Sequence, residues 1–213
     1  MAKGAFIVVE GLEGAGKSSV IALIRQVVEN LGKTVVSTRE PGGTPMAEAI
    51  RDCVKADWHG EQITQETELL LMYAARSQLV TNIIIPALER GEFVVGDRHD
   101  MSSQAYQGGG RQIPIKYLQQ LKDMTLQGFS PDLTLYLDVD PVIGLQRANQ
   151  RGALDRIELA GDAFFARTRE AYQVLVANDP NALSIDANRD MQIVHQEVSE
   201  LLTDWLKRFE GMA

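Results

Sequence analysis

The chain alternates between short apolar runs and longer stretches in which apolar residues recur every three or four positions. Ala5 to Val9 is an unbroken apolar run rich in β-branched residues, the pattern of a strand buried on both faces. A Gly-rich turn from Gly11 to Gly16 follows it. Val20, Leu23, Ile24, Val27, Val28 and Leu31 then fall on one helical face, predicting a helix from Lys17 to Leu31 with Gly32 as its C-cap. Further strands are expected at 34–38, 93–97, 133–138 and 183–186. Helices are expected at 46–56, 65–90 with a bend at Pro86, 115–126, 142–150, 163–177 and 191–209. The Gly-rich patch Gly108 to Gly110 is read as a break between elements.

Strands alternating with helices imply a parallel sheet covered on both faces: an α/β fold of three layers with five strands. No repeat, low-complexity tract or linker divides the 213 residues, so one domain is expected over 1–213. Hydrophobic residues make up 45% and charged residues 23%, enough for a sizeable core. A net charge of -8 disfavours a nucleic-acid polymer as partner, although a small anion needs only a local cluster of cations. Cys53 is the only cysteine and cannot form an intramolecular disulfide. It is expected as a core or boundary thiol of a reducing compartment. His59, His99 and His195 lie too far apart in sequence to suggest structural zinc. With no leader-like N-terminus and no run near ~20 apolar residues, the expected location is the cytoplasm, with no membrane partner.

Gly11-Leu12-Glu13-Gly14-Ala15-Gly16-Lys17-Ser18 fits G-x-x-x-x-G-K-[ST] in the required context, after a strand and opening a helix. The glycines let backbone N–H groups turn toward phosphates, and the helix N-terminus faces the same anion. Lys17 supplies a charge to the β- and γ-phosphates, and the Ser18 hydroxyl is a ligand for Mg²⁺. Ser19 continues the expected ATP site. The motif alone does not separate a kinase from an ATPase or GTPase. No Asn-Lys-x-Asp segment that would read guanine is present. Instead, arginines stand in loops and at helix faces: Arg39, Arg51, Arg76, Arg98, and the late group Arg147, Arg151 and Arg156. Two guanidinium sets suit two phosphate-bearing substrates. Asp97 ends an apolar strand and should act near Mg²⁺, directly or through water. A helix N-cap or an ion pair is its alternative use.

The phosphate loop combines with Thr38-Arg39-Glu40-Pro41-Gly42-Gly43-Thr44, Tyr73-Ala74-Ala75-Arg76, Gly96-Asp97-Arg98-His99, Ser102 to Gly108 and Asp155-Arg156-Ile157-Glu158. In this order and over nearly the whole chain, the set resembles the bacterial thymidylate kinases. The resemblance implies a phosphate-loop NTPase fold with a helical lid at about 147–158, Mg·ATP as donor, dTMP as acceptor, and a homodimer. It implies that Glu13 holds the acceptor 3′-hydroxyl. Arg98, Arg39 and Arg51 would position the acceptor phosphate. Arg76, Gln107 and Ser103 would select the base, and Tyr106 would exclude a 2′-hydroxyl. Glu40 would support the same site, a loop ion pair with Arg39 being its other reading. Met72 stands where the family usually stacks a Phe on thymine, and its polarizable sulfur can also lie over a ring. Some members carry a catalytic arginine in the phosphate loop. Gly14 and Ala15 occupy that place here, so the lid must supply it. Arg151 and Arg156 are the candidates to contact the transferring phosphoryl, with Lys17, Arg98 and Glu13 completing the catalytic group. Arg147, four residues before Arg151, also fits a solvated basic face.

Overall fold

The computed structural model describes residues 4–150 and 156–211. Five parallel strands form one sheet in the order β2-β3-β1-β4-β5: β1 Phe6–Gly11, β2 Val35–Arg39, β3 Phe93–Asp97, β4 Leu133–Asp138 and β5 Ala182–Asp186. Central β1 is buried along its whole length, whereas the edge strands β2 and β5 are only partly covered. Alternation along β1 divides its side chains between two cores, as a period of two requires. Ile7 and Val9 pack with Val20, Ile24 and Val28 of α1 (Lys17–Asn30) and with Val198 and Leu202 of α9 (Met191–Gly211). Phe6 and Val8 pack with Leu79, Val80, Ile84 and Leu126 on the other face. The result is the expected layering of helices on both sides of the sheet.

Helix α2 spans Pro45–Lys55, with the Thr44 side chain capping its first turn by accepting from the Ala47 N–H at 3.1 Å. Helix α3 (Gln65–Leu79) runs through a π-helical turn at Val80–Ile84 into α4 (Ile85–Glu89). The predicted bend at Pro86 is therefore a widened turn just before the proline, which has no N–H to give the helix. The continuous 65–89 helix is long and apolar enough to cross a membrane by length and composition. Its Leu69, Tyr73, Leu79, Val80, Ile84 and Ala87 are nevertheless spent inside the protein, and its Arg76 is buried in ion pairs.

One predicted break is helical. α5 (Asp100–Ser103) continues as a π-helical segment, Gln104–Gly110. Its glycines serve close packing, not a turn: a Cβ on Gly109 would stand 2.5 Å from the Ala171 Cβ, and one on Gly110 would stand 2.4 Å from the Phe164 ring. Both neighbours belong to α8 (Asp162–Ala177). The remaining helices are α6 (Ile115–Leu126) and α7 (Pro141–Asn149). Cys53, expected at a core boundary, is exposed on α2.

Candidate active site

Parallel register brings the C-terminal ends of three strands together: Arg39 pairs across from Asp97, and Asp97 from Val9. Loops leaving one sheet edge at neighbouring strands form a crevice, the usual place for a ligand in an open α/β sheet. A cavity of about 500 Å³ opens there.

The phosphate loop forms its floor. Gly11, Gly14 and Gly16 have φ of 139°, 72° and 92°, the left-handed region that glycine alone enters freely. The loop is also wedged against α7, since a Cβ on Gly14 would lie 2.1 Å from the Gly144 carbonyl oxygen. Helix α1 starts without a side-chain cap and without an acid in its first turn, leaving its N–H groups for an anion. Lys17 Nζ donates to the Gly11 and Leu12 carbonyls at 3.1 and 3.0 Å. Burial and the nearby Arg98 charge bring its pKa down to about 8, against the pull of Asp97 and Glu13. Glu13, Gly14, Gly16, Lys17, Ser18 and Ser19 line the cavity, while Gly11, Leu12 and Ala15 shape the loop beneath it. The Ser19 hydroxyl donates to Gly16 O at 2.9 Å and meets His195 Nε2 at 3.1 Å.

The other wall carries the acceptor-side candidates. Arg39, Glu40, Arg51, Met72 and Arg76 line it, as do Asp97, Arg98, Ser103, Tyr106 and Gln107. Arg98 has φ of 73°, a strained conformation for a residue with a Cβ, costing about 1–3 kcal/mol. It aims the guanidinium into a cage. Nη2 donates to Glu13 Oε1 at 2.8 Å and to the Tyr106 hydroxyl at 3.1 Å. Nη1 donates to Ser102 Oγ and the Tyr172 hydroxyl, both at 3.2 Å. The Tyr106 hydroxyl donates to Glu13 Oε2 at 2.7 Å, closing a triangle. Burial works against the Glu13 charge, but Arg98 and Lys17 hold its pKa below the usual carboxylate range.

Glu40 does not pair with Arg39. Arg76 Nε donates to Glu40 Oε2 at 2.7 Å, and His99 Nδ1 contacts Oε1 at 2.8 Å. Arg39 instead makes a bidentate pair with Glu48 at 3.2 and 2.8 Å, because β2 ends beside the first turn of α2. Arg51 Nη1 donates to the Pro41 carbonyl at 2.9 Å. Met72 packs near Ala47, Ile50, Val54 and Ala75, at the side of the cavity.

Arg156, expected to contact the transferring phosphoryl, is seated away from the phosphate loop. It lies outside the cavity lining: Nε donates to the Val54 carbonyl at 3.1 Å and Nη2 to Glu68 Oε2 at 2.7 Å. The buried Glu68 carboxylate draws it there. Arg151 and residues 152–155 of the expected lid lie outside the described residues. Arg147, by contrast, belongs to the cavity, with Nη1 donating to Ala187 O at 2.9 Å.

Two further side chains shape the site, Glu10 and Tyr172. Glu10 is fully buried, and its Oε1 accepts from the His99 N–H at 2.8 Å and the Ser102 N–H at 3.2 Å. Its Oε2 accepts from the Tyr172 hydroxyl at 2.9 Å. Burial pushes its pKa up. This carboxylate fixes the backbone just after Arg98. An acid closing an apolar strand was the available signal. Tyr172 comes from a distant helix, and no local pattern marks it.

The chain matches the model of the thymidylate kinase family over residues 9–198. The chain belongs to the thymidylate kinase family. It is 59% identical over 206 residues to a thymidylate kinase of Alteromonas mediterranea, covering 97% of this chain and 92% of the relative. A thymidylate kinase of Colwellia psychrerythraea is 53% identical over 206 residues, covering 97% of each chain. One of Vibrio parahaemolyticus is 53% identical over 209 residues, covering 98% of this chain and all of the relative. The thymidylate kinases are nucleoside-monophosphate kinases, so the two-sided cavity is the one in which to look for a donor and an acceptor nucleotide.

Proposed function

We infer that this chain catalyses ATP + dTMP = ADP + dTDP by direct in-line phosphoryl transfer, a step toward dTTP. The carrying observation is one cavity in which Glu13 of the phosphate loop is bonded to Arg98 and Tyr106 of the facing wall. The loop amides and Lys17 hold the donor phosphates. Arg98, Arg39 and Arg51 bind and orient the acceptor phosphate, and Glu13 accepts from the sugar 3′-hydroxyl. Tyr106 excludes a 2′-hydroxyl. Arg76, Gln107 and Ser103 read the base, Met72 lies beside it, and Glu40 holds Arg76. The acceptor oxygen is already anionic, so positioning and charge neutralisation suffice without a general base.

The Asp97 Oδ1 atom is buried without a hydrogen-bond partner, and the exposed Ser18 hydroxyl shares the cavity with it. A hard-oxygen pair of this kind fits Mg²⁺, which keeps most of its ligands as water and phosphate. Ser18 and Asp97 would hold it, and when bound it neutralises charge on the β- and γ-phosphates. Arg151 is the lid residue assigned to the transferring phosphoryl. Arg156, seated on Glu68, reaches it only by leaving that carboxylate.

We further place the protein in the cytoplasm as a homodimer. Neighbouring α3 and α6 expose Leu70, Ile115, Tyr117 and Met124. A monomer mass at sedimentation equilibrium would remove the dimer. The test of function is ADP formation from Mg·ATP with dTMP, dUMP, dCMP, dGMP, dAMP and UMP in turn. A large preference for dTMP is expected. Equal rates across pyrimidines would overturn the base assignment, and silence with every acceptor would overturn the activity.

A further inference from the structure

Glu68 does not line the cavity, yet it holds a residue that does. Its side chain is 1% exposed and accepts four hydrogen bonds. Oε1 accepts from Gln107 Nε2 at 2.9 Å and Arg111 Nε at 3.2 Å. Oε2 accepts from Arg111 Nη2 at 3.2 Å and Arg156 Nη2 at 2.7 Å. Burial opposes its charge, but these donors keep its pKa below the usual carboxylate range. An ionised carboxylate only accepts, so the end of the Gln107 amide that faces it must be the N–H₂ end. The other end, Oε1, accepts no hydrogen bond among the described residues and is left for the cavity side.

Arg76 can be counted the same way. Of its five N–H bonds, Nε–H goes to Glu40, two on Nη2 go to His99 O and Ser103 Oγ, and one on Nη1 faces Asp100 at 3.5 Å. One donor remains. Gln107 and Arg76 line the same cavity, so it holds an acceptor from Gln107 and a donor from Arg76. Thymine offers the complement, an N3–H donor and an O4 acceptor. Cytosine offers the reverse, an N3 acceptor and an N4 amino donor.

We propose that Glu68 is a specificity-determining positioning residue: its carboxylate locks the Gln107 amide with its oxygen toward the base, so that the pocket prefers thymine to cytosine. The inference deepens the dTMP reading above and rests on it. Glu68→Gln keeps the volume but offers either an oxygen or an amino group to residue 107. The Gln107 amide is then free to rotate and to offer N–H to the cytosine N3. Arg111 and Arg156 also lose a charged partner, but that loss falls on every acceptor alike.

The experiment measures kcat/KM for dTMP and dCMP in the parent, E68Q, Q107L and the double variant. E68Q is expected to lower the dTMP:dCMP ratio about tenfold or more, the size of one mismatched buried hydrogen bond. In the Q107L background, E68Q should leave the ratio unchanged. An unchanged ratio in E68Q, or an equal drop in both backgrounds, overturns the proposal, since a merely structural role slows both substrates together. If E68Q does not fold, the swapped pair E68Q/Q107E still places one amide against one carboxylate and keeps an acceptor toward the base. It should hold the parent's preference, and loss of that preference overturns the proposal. A parent inactive on dTMP would instead refute the substrate assignment.

Discussion

Arg76→Met removes a buried cation and leaves its carboxylates in place. Arg76 is 2% exposed and pairs with Glu40 at 2.7 Å and Asp100 at 3.5 Å. Removing one member of a buried pair costs about 3–5 kcal/mol, because the remaining charge is stranded. Asp100 keeps the Tyr73 hydroxyl at 2.8 Å and Lys122 at 3.3 Å, so it is partly compensated. Among the described residues Glu40 keeps only the His99 ring as a side-chain partner. The loss therefore falls near the lower end, about 3 kcal/mol, and a domain of ordinary stability (~5–15 kcal/mol) remains folded. Urea denaturation at pH 7 measures it as a shift in midpoint at constant slope. The pH dependence carries the sharper test. In the parent, burial raises the Glu40 and Asp100 pKa values, but Arg76 outweighs it and holds both below their ordinary values. Each contributes stability above its unfolded pKa, and that stability is lost as pH falls through the folded value. Without Arg76 the order reverses for Glu40: the folded state binds the proton more readily, so acid relieves the penalty. The gap between parent and variant should narrow from pH 7 toward about pH 5. A loss under about 1 kcal/mol, or a gap constant with pH, would refute the assignment of Arg76 as the cation that keeps Glu40 charged.

Two further outcomes follow from the phosphate side. With a Lys17 pKa of about 8, below its usual 10.5, about half the empty sites carry a neutral lysine at pH 8, and bound phosphate favours the charged form. Calorimetry in two buffers of different ionisation enthalpy should then show uptake of about half a proton per Mg·ATP bound at pH 8, almost none near pH 6, and none in Lys17→Met. Zero uptake in the parent at pH 8 would refute the burial argument. Arg151→Ala should lower kcat far more than it weakens dTMP binding, and equal kcat in variant and parent would sink the lid assignment.

What the sequence reveals depends on whether the cause is local. The strands are legible because an apolar run buried on both faces needs no partner to be recognised. The phosphate loop is legible because one octapeptide carries both the glycine conformations and the lysine. The side chains scattered along the rest of the chain are a harder problem, and family resemblance brings them together where periodicity cannot. Their partners stay hidden. Nothing in Thr38-Arg39-Glu40 says that the two charges turn apart, Arg39 to Glu48 and Glu40 to Arg76. Gly109 and Gly110 read as a break because their value lies in contact with α8, some 60 residues downstream, where Phe164 and Ala171 leave no room for a Cβ. Arg156 sits in a motif suggesting catalysis, yet the carboxylate that holds it belongs to α3.

The same pairings explain how an acidic chain hosts two anions. In the substrate-free cavity three of the acceptor-side guanidinium groups already have a carboxylate: Arg98 with Glu13, Arg76 with Glu40, Arg39 with Glu48. The arginines are thus held in place without repelling one another. An incoming phosphate must offer more than charge, since any anion that binds by charge alone competes with a carboxylate already at hydrogen-bond distance. For Arg98 the competition has a particular form. Its partner Glu13 is also the group proposed to accept from the sugar hydroxyl, so a nucleotide supplies a phosphate for the arginine and a hydroxyl for the glutamate in the same event. Inorganic phosphate brings no sugar hydroxyl, and by drawing Arg98 away it weakens the cationic support of Glu13, which then rests on Lys17 and the Tyr106 hydroxyl. On the proposed site assignment, the Arg98–Glu13 pair would itself favour a nucleotide over free phosphate, independently of the base.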